Sequence, residues 1–388
     1  MATVRMDLKG YRPKNWGNGF TNWPSLVQLM DVLFCQRALR ALSRVRACSV
    51  KTRCSFFARL LGCVVLFAAG TVAAEDRPQI WFSFPPNGEF MKLFSSDADW
   101  PKTLRHIDVF ELQVQFAVGT GDPTLIKIFQ FLDRHHIALA LEVPIQTPGP
   151  SQCGLGIEGY RPPGVISNLI KRFHLLGANL KYVVMDEPLW FGHLSKEMKA
   201  GVSRPCRAEI RDVAKNVATN IEAIRQEYPA VIIGDEEPLP NTYRNEVPPD
   251  YLDQMQRWMQ VFSETTGSPL GFMHFDVGWF PTDSPAADLK NHAAWLIQLR
   301  KAIDITAARR MESGIYYNGN PQDDNGTAWV EHAEERFKEI EEGHHLYNNH
   351  VIFQTWMRQP TSPLPETTSG TMSNLVLRYL KFRHLEDR

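Results

Sequence analysis

Cysteine, basic charge and long apolar runs are all scarce where a folded domain would sit. Four of the six cysteines (Cys35, Cys48, Cys54, Cys63) fall near the start, leaving only Cys153 and Cys206 in the rest of the chain. That excludes a disulfide-dense scaffold, and neither remaining cysteine has zinc-ligand spacing to another. The main apolar run, 60–74, has 15 residues, short of the roughly 20 that span a bilayer. After residue 59 the chain carries 31 Lys or Arg against 41 Asp or Glu, so it has no basic excess and nucleic acid is not an expected partner. No repeat of 20–50 residues and no low-complexity block is visible. No Gly-rich fingerprint follows the first predicted strand, so a nucleotide-binding open sheet is the weaker alternative. Neither a cofactor nor a resident metal is expected.

What is present begins with a basic leader. Residues 1–59 hold eleven Lys or Arg and only two acids, Asp7 and Asp31. Within 51–74 a basic start (Lys51, Arg53, Arg59) precedes the apolar run, and small residues at Val72, Ala73 and Ala74 close it. This is the three-part pattern of a secretory signal peptide cleaved after Ala74, a single membrane anchor being the alternative. Residues 1–50 then read as an extension produced by a start placed upstream of the true one, a long cytoplasmic extension being the alternative. The expectation is a secreted or periplasmic protein without stable membrane association after cleavage. An even cysteine pair in an oxidising compartment points to one disulfide, Cys153–Cys206, against the alternative of two buried thiols. It would join the loops after strands 3 and 4.

Residues 75–388 alternate short β-branched or aromatic runs with longer segments of helical period. The predicted strands are 79–84, 107–113, 137–143, 182–186, 231–235, 270–276, 314–318 and 351–356. Helical stretches are predicted at 124–134, 165–176, 209–227, 251–262, 286–305, 328–341 and 371–382, with a short first crossover near 100–106. Eight strands, each followed by a helix, predict a single α/β domain, a (β/α)₈ barrel, with its active site at the C-terminal strand ends.

Those ends are rich in acids and aromatics. Strand 2 ends in Glu111, Gln113 and Gln115. Strand 3 ends in Glu142, and strand 4 in Asp186-Glu187-Pro188 with Trp190 beyond. Strand 5 runs into Asp235-Glu236-Glu237. Strand 6 carries His274 and Asp276, with Trp279 following. Strand 7 ends in Tyr316-Tyr317-Asn318, and strand 8 carries Gln354, Trp356 and Arg358. A lone carboxylate after a strand is usually a solvated loop residue or a helix cap. Acids on five successive strands repel one another, and stability alone does not call for that. Paired carboxylates with flat aromatic faces suit a carbohydrate substrate and glycoside hydrolysis. On this reading Glu111, Glu142, Trp190, His274, Trp279, Tyr317, Asn318 and Trp356 bind substrate.

The segment YVVMDEP resembles the strand-4 Asn-Glu-Pro signature of the large glycoside hydrolase clan built on (β/α)₈ barrels. The resemblance implies that Glu187 is the acid/base, with Pro188 and Trp356 also matching. Asp186 replaces the Asn, and strand 7 ends without the nucleophilic Glu of that clan. The partner carboxylate must therefore lie elsewhere. Glu187 is read as general acid and Asp276 as base, with Glu237 as substitute base. The alternative assignment makes Asp186 the nucleophile and Glu236 or Glu237 the acid/base. Two other classes compete: a metal-dependent lyase, isomerase or phosphodiesterase using Glu142, Asp186 and Glu236, and a non-catalytic glycan-binding barrel.

Overall fold

The computed structural model describes residues 77–196, 204–239, 248–277 and 285–387. The predicted signal peptide and N-terminal extension lie outside these residues, as does Trp279. Eight parallel strands close into one barrel in chain order, with the last strand pairing to the first. They are β1 (Gln79–Phe82), β2 (Val109–Gln113), β3 (Ala138–Val143), β4 (Leu180–Asp186), β5 (Ile232–Pro238), β6 (Phe272–Asp276), β7 (Glu312–Tyr316) and β8 (His350–Phe353). The expected (β/α)₈ architecture is the one observed.

Most crossovers form because the helix offers the sheet an apolar stripe. α1 (Pro101–Leu104) is the short first crossover, and its N-terminal amides at Lys102 and Thr103 donate to the Glu366 carboxylate at 3.1 and 2.7 Å. A carboxylate there offsets orphan N–H groups and the helix dipole. α2 (Val114–Gly119) follows β2 directly, and α3 (Asp122–Arg134) buries Leu125, Ile128, Phe129 and Leu132. α4 (Val165–Leu175), α5 (Ile210–Glu227), α6 (Tyr251–Thr266), α7 (Pro285–Ala308), α8 (Gly326–Phe337) and α9 (Met372–Phe382) complete the ring. α2 was not anticipated: it ends the strand at Gln113, so Gln115 leaves the strand face and is exposed.

Two apolar layers result. Between strands and helices, residues such as Phe82, Phe110, Leu141, Met185, Ile233, Phe275, Ile315 and Phe353 pack outward. Inside the barrel, Trp81, Val109, Ala140, Tyr182, Val184, Phe272, Tyr316 and Ile352 form a separate plug. Glycine makes room for it: a Cβ on Gly234 would meet the Phe272 ring at 2.0 Å, and one on Gly314 would meet His274 at 2.5 Å. Because alternate residues face opposite ways, the plug settles which residue of each strand end faces the axis.

Candidate active site

Counting up from the plug, the inward positions near the C-terminal ends are Ser83, Glu111, Glu142, Asp186, Glu236, Asp276, Tyr316 and Gln354. Asp186 and Glu236 are register partners on β4 and β5, so their side chains stand side by side. Glu142 pairs with Val184, one layer below them. Tyr316 donates to Glu236 at 2.5 Å, and Gln354 donates to Glu142 at 3.1 Å. Both oxygens of the buried Glu111 and one oxygen of Asp276 have no hydrogen-bond partner. Among the described residues, no three His, Cys, Asp or Glu side chains are placed to hold a metal ion. The layer offset of Glu142 gives the reason for the Glu142, Asp186 and Glu236 set.

Glu187 follows β4 by one residue, where simple alternation would turn it outward. Its backbone instead adopts a left-handed conformation, φ 46°. That conformation is costly for a residue with a side chain, by about 1–3 kcal/mol, and persists only where the surroundings impose it. The imposing contacts are visible. The Glu187 N–H donates to the Glu236 carbonyl at 2.9 Å, and its carbonyl accepts from Phe191 in the helical turn that follows. That turn, Trp190–Leu194, is held at its N-terminus by the fully buried Glu237, whose two oxygens accept from the backbone N–H groups of Leu189 (2.6 Å) and Trp190 (3.0 Å). Glu237 thus anchors the turn, and Asp235 on the same outward face accepts from Trp258 of α6 at 2.6 Å.

Burial and mutual repulsion raise every carboxyl of the group. Burial pushes Glu187 well above the usual range, and Asp276, Asp186 and Glu237 add to it in that order. Burial likewise raises Glu111, Asp186 and Glu236, with Glu142 the leading neighbour for each. Asp276 is pushed up to about 7 by burial and then by Glu142 and Glu158. Glu142 also reaches about 7, its burial partly offset by the Gln354 hydrogen bond. Glu187, Asp276 and Glu142 are half-buried, whereas Asp186, Glu236 and Glu111 are buried.

Several residues read from sequence as substrate contacts take other places. Tyr317 faces the helix layer and donates to the buried Glu341 at 2.9 Å. Strand alternation puts its neighbour Tyr316 inside instead. His274 lies in the plug below the rim, fully buried, against Trp81 and Phe272 and 2.9 Å from His350. Trp190 is half-buried and packs edge-on to Tyr251. Trp356 is 45% exposed, edge-on to Tyr316 with ring centroids 6.2 Å apart, which makes it an open aromatic face at the mouth. Asn318 is fully buried at the end of β7, and its amide has no partner. Ser83 was missed, although its place two residues beyond Trp81 signals an inward position.

Cys153 and Cys206 form a disulfide between the loops after β3 and β4. A small core of Ile157, Tyr160 and Phe191 packs beside it, and Phe191 belongs to the turn that follows Glu187.

No protein-family model matches the chain, and no curated protein matches its sequence. Some solved structures are similar to it at low sequence identity. Xylanase 10B from Thermotoga maritima is similar at 9% identity and a TM-score of 0.44, over 80% of this chain and 96% of the xylanase. An endo-beta-1,3-glucanase of GH128 from Pseudomonas viridiflava is similar at 11% identity and 0.41, over 78% and 96%. A D-psicose 3-epimerase is similar at 9% identity and 0.39, over 78% and 98%.

Proposed function

We propose that the protein is a glycoside hydrolase in which Glu187 is the general acid and Asp276 the general base. The observation that carries the reading is the left-handed backbone at Glu187, held by its own amide bond to Glu236 and by the Glu237-anchored turn. Asp276 is the neighbour that most raises it. Their environments suit the two roles. An acid must keep its proton near neutral pH, and Glu187 is held well above the usual range. A base must lose its proton first, and Asp276 titrates at about 7. β4 and β6 are separated by β5, and two strand spacings are about 9–10 Å. Side chains converging from that separation leave room for the water that an inverting mechanism needs, in a gap of roughly 6.5–9.5 Å. Glu187 protonates the glycosidic oxygen as the bond to the anomeric carbon breaks. Asp276 takes a proton from the water that attacks the opposite face. Trp356 offers the sugar an apolar stacking surface.

A second assignment rests on the register of Asp186 with Glu236. Neighbouring strands bring carboxyls to about 5 Å, the spacing of a retaining pair. A screen of poly- and oligosaccharides, followed by product mass and anomeric form, separates the two. Inverted product, lost in Glu187→Gln and Asp276→Asn, is expected. Retained product, lost in Asp186→Asn and Glu236→Gln, transfers the roles to the second pair. Absence of cleavage across the screen leaves a glycan-binding barrel. The disulfide supports the further proposal that the chain works in an oxidising compartment, secreted or periplasmic.

A further inference from the structure

The rim gathers carboxyl groups that the described residues leave without a cationic partner within salt-bridge distance. Glu111, Glu142, Asp186, Glu236 and Asp276 face inward from five consecutive strands. Among the described residues, none of them forms a salt bridge with Lys or Arg. Arg161, half-buried in the loop after β3, acts on Glu142 and Asp186 from a distance, against the larger effect of their burial.

Acidity alone names no ligand, but uncharged groups on the same surface also lack partners. Ser83, 1% exposed, has no partner for its hydroxyl, and Asn318, 0% exposed, has none for either amide atom. Ser83 stands two residues beyond Trp81 and Asn318 two beyond Tyr316, both members of the interior plug, so both point toward the axis. Buried polar groups are normally paired, so a cluster left open marks a place that a polar ligand fills. A neutral sugar has hydroxyls for Ser83 and Asn318 but no charge with which to draw the buried carboxyls into their ionised form. An ammonium group brings three N–H donors and a full positive charge.

Resting on the glycoside hydrolase reading, we infer that the unit bound at the barrel mouth is an amino sugar with a free ammonium group, received by Glu111 and Glu142 on neighbouring strands. Glu111 is suited to this because both of its oxygens are open and it pairs in register with Ala140 at the floor, one layer below Glu142 on the neighbouring strand. N-acetylation removes the charge and adds bulk, so the acetylated sugar is the poorer ligand.

The test uses the full chain and matched α- and β-linked hexosamine polymers, each as free amine and fully N-acetylated, together with neutral glucan and xylan. Binding is read by affinity electrophoresis and cleavage by product mass. Free-amine polymers are expected to bind, and to be cleaved with kcat/KM about 10- to 100-fold above their acetylated forms, the worth of one charge-assisted bond. Glu111→Gln removes most of that preference through KM, and Glu142→Gln serves where the first variant does not fold. Equal or better binding and cleavage of acetylated or neutral polymers overturns the inference and leaves the hydrolase reading standing. Tight binding of free-amine polymers without cleavage supports the inference and overturns the hydrolase reading. Equally tight binding of polylysine, which the net charge of −10 over residues 60–388 attracts, assigns the effect to the surface and overturns the inference.

Discussion

Replacing Glu237 by Gln keeps the shape of the side chain and removes its capacity to accept two hydrogen bonds. In the native protein both oxygens accept, from Leu189 N–H at 2.6 Å and Trp190 N–H at 3.0 Å, and the residue has no exposed surface. Two accepted amide bonds are the arrangement of a carboxylate, although burial and then Asp235 push its pKa up. In the variant one amide oxygen still accepts, but the NH₂ group faces the other N–H. An orphaned buried N–H costs about 1–3 kcal/mol, and turning a charged acceptor into a neutral one costs about 1 more. The expected loss is therefore about 2–4 kcal/mol. For a domain of about 310 residues the unfolding entropy is near 0.65 kcal/mol/K, so the midpoint should fall by about 3–6 °C in a calorimetric scan. The functional effect comes through geometry. The loosened turn no longer holds Glu187 in its left-handed conformation, and relaxation turns the carboxyl away from Asp276. On the best substrate kcat should fall about tenfold or more, which is about 1.4 kcal/mol of barrier, with KM little changed. Glu237→Asp, which keeps the charge, should recover part of both losses. A Glu237→Gln variant with native midpoint and native kcat refutes the claim that this carboxylate aims the site.

Four other outcomes are expected. Activity against pH should be bell-shaped, rising as Asp276 ionises near pH 7 and falling above that as Glu187 loses its proton, and Asp276→Asn should remove the acid limb with about 10²–10⁴ of the rate. Stability should move the other way: these carboxyls bind protons more tightly folded than unfolded, so the melting midpoint falls as pH rises from the ordinary carboxylate range through about 7, and an unchanged midpoint contradicts the burial argument. Removing the disulfide by Cys153→Ser with Cys206→Ser releases a closure of 53 residues, worth up to about 4 kcal/mol or about 6 °C, visible in thermal melts with and without reductant. Tyr316→Phe should lower kcat by freeing Glu236, whereas Tyr317→Phe should cost about 1–2 kcal/mol of stability at Glu341 and leave kcat alone; matched kinetics in both variants contradicts the inward and outward placement.

The barrel and its acid-bearing strand ends were legible in the sequence, because strand and helix periods are local and each run is long enough to show its period. The end of β2 was not, since Val114–Gly119 coils directly out of the strand with no turn residue to mark the change. His274 shows a different limit. It shares a strand face with Asp276 but lies a layer lower, edge-on to Trp81, and that depth depends on the stagger between strands.

By itself the sequence determined the alternation that makes a single barrel, the set of strand ends that carry acids, and a cysteine pair in neighbouring loops. Only the tertiary structure decided which acid of Asp235-Glu236-Glu237 faces the axis, which tyrosine of Tyr316-Tyr317 lines the site, and how Glu187 comes to be aimed. The physical reason is that barrel strands are buried on both faces, so they read as near-continuous apolar runs that do not say which face is inside. The plug of Trp81, Phe272 and Tyr316 makes that choice, and the Glu237-anchored turn reverses it at Glu187 alone.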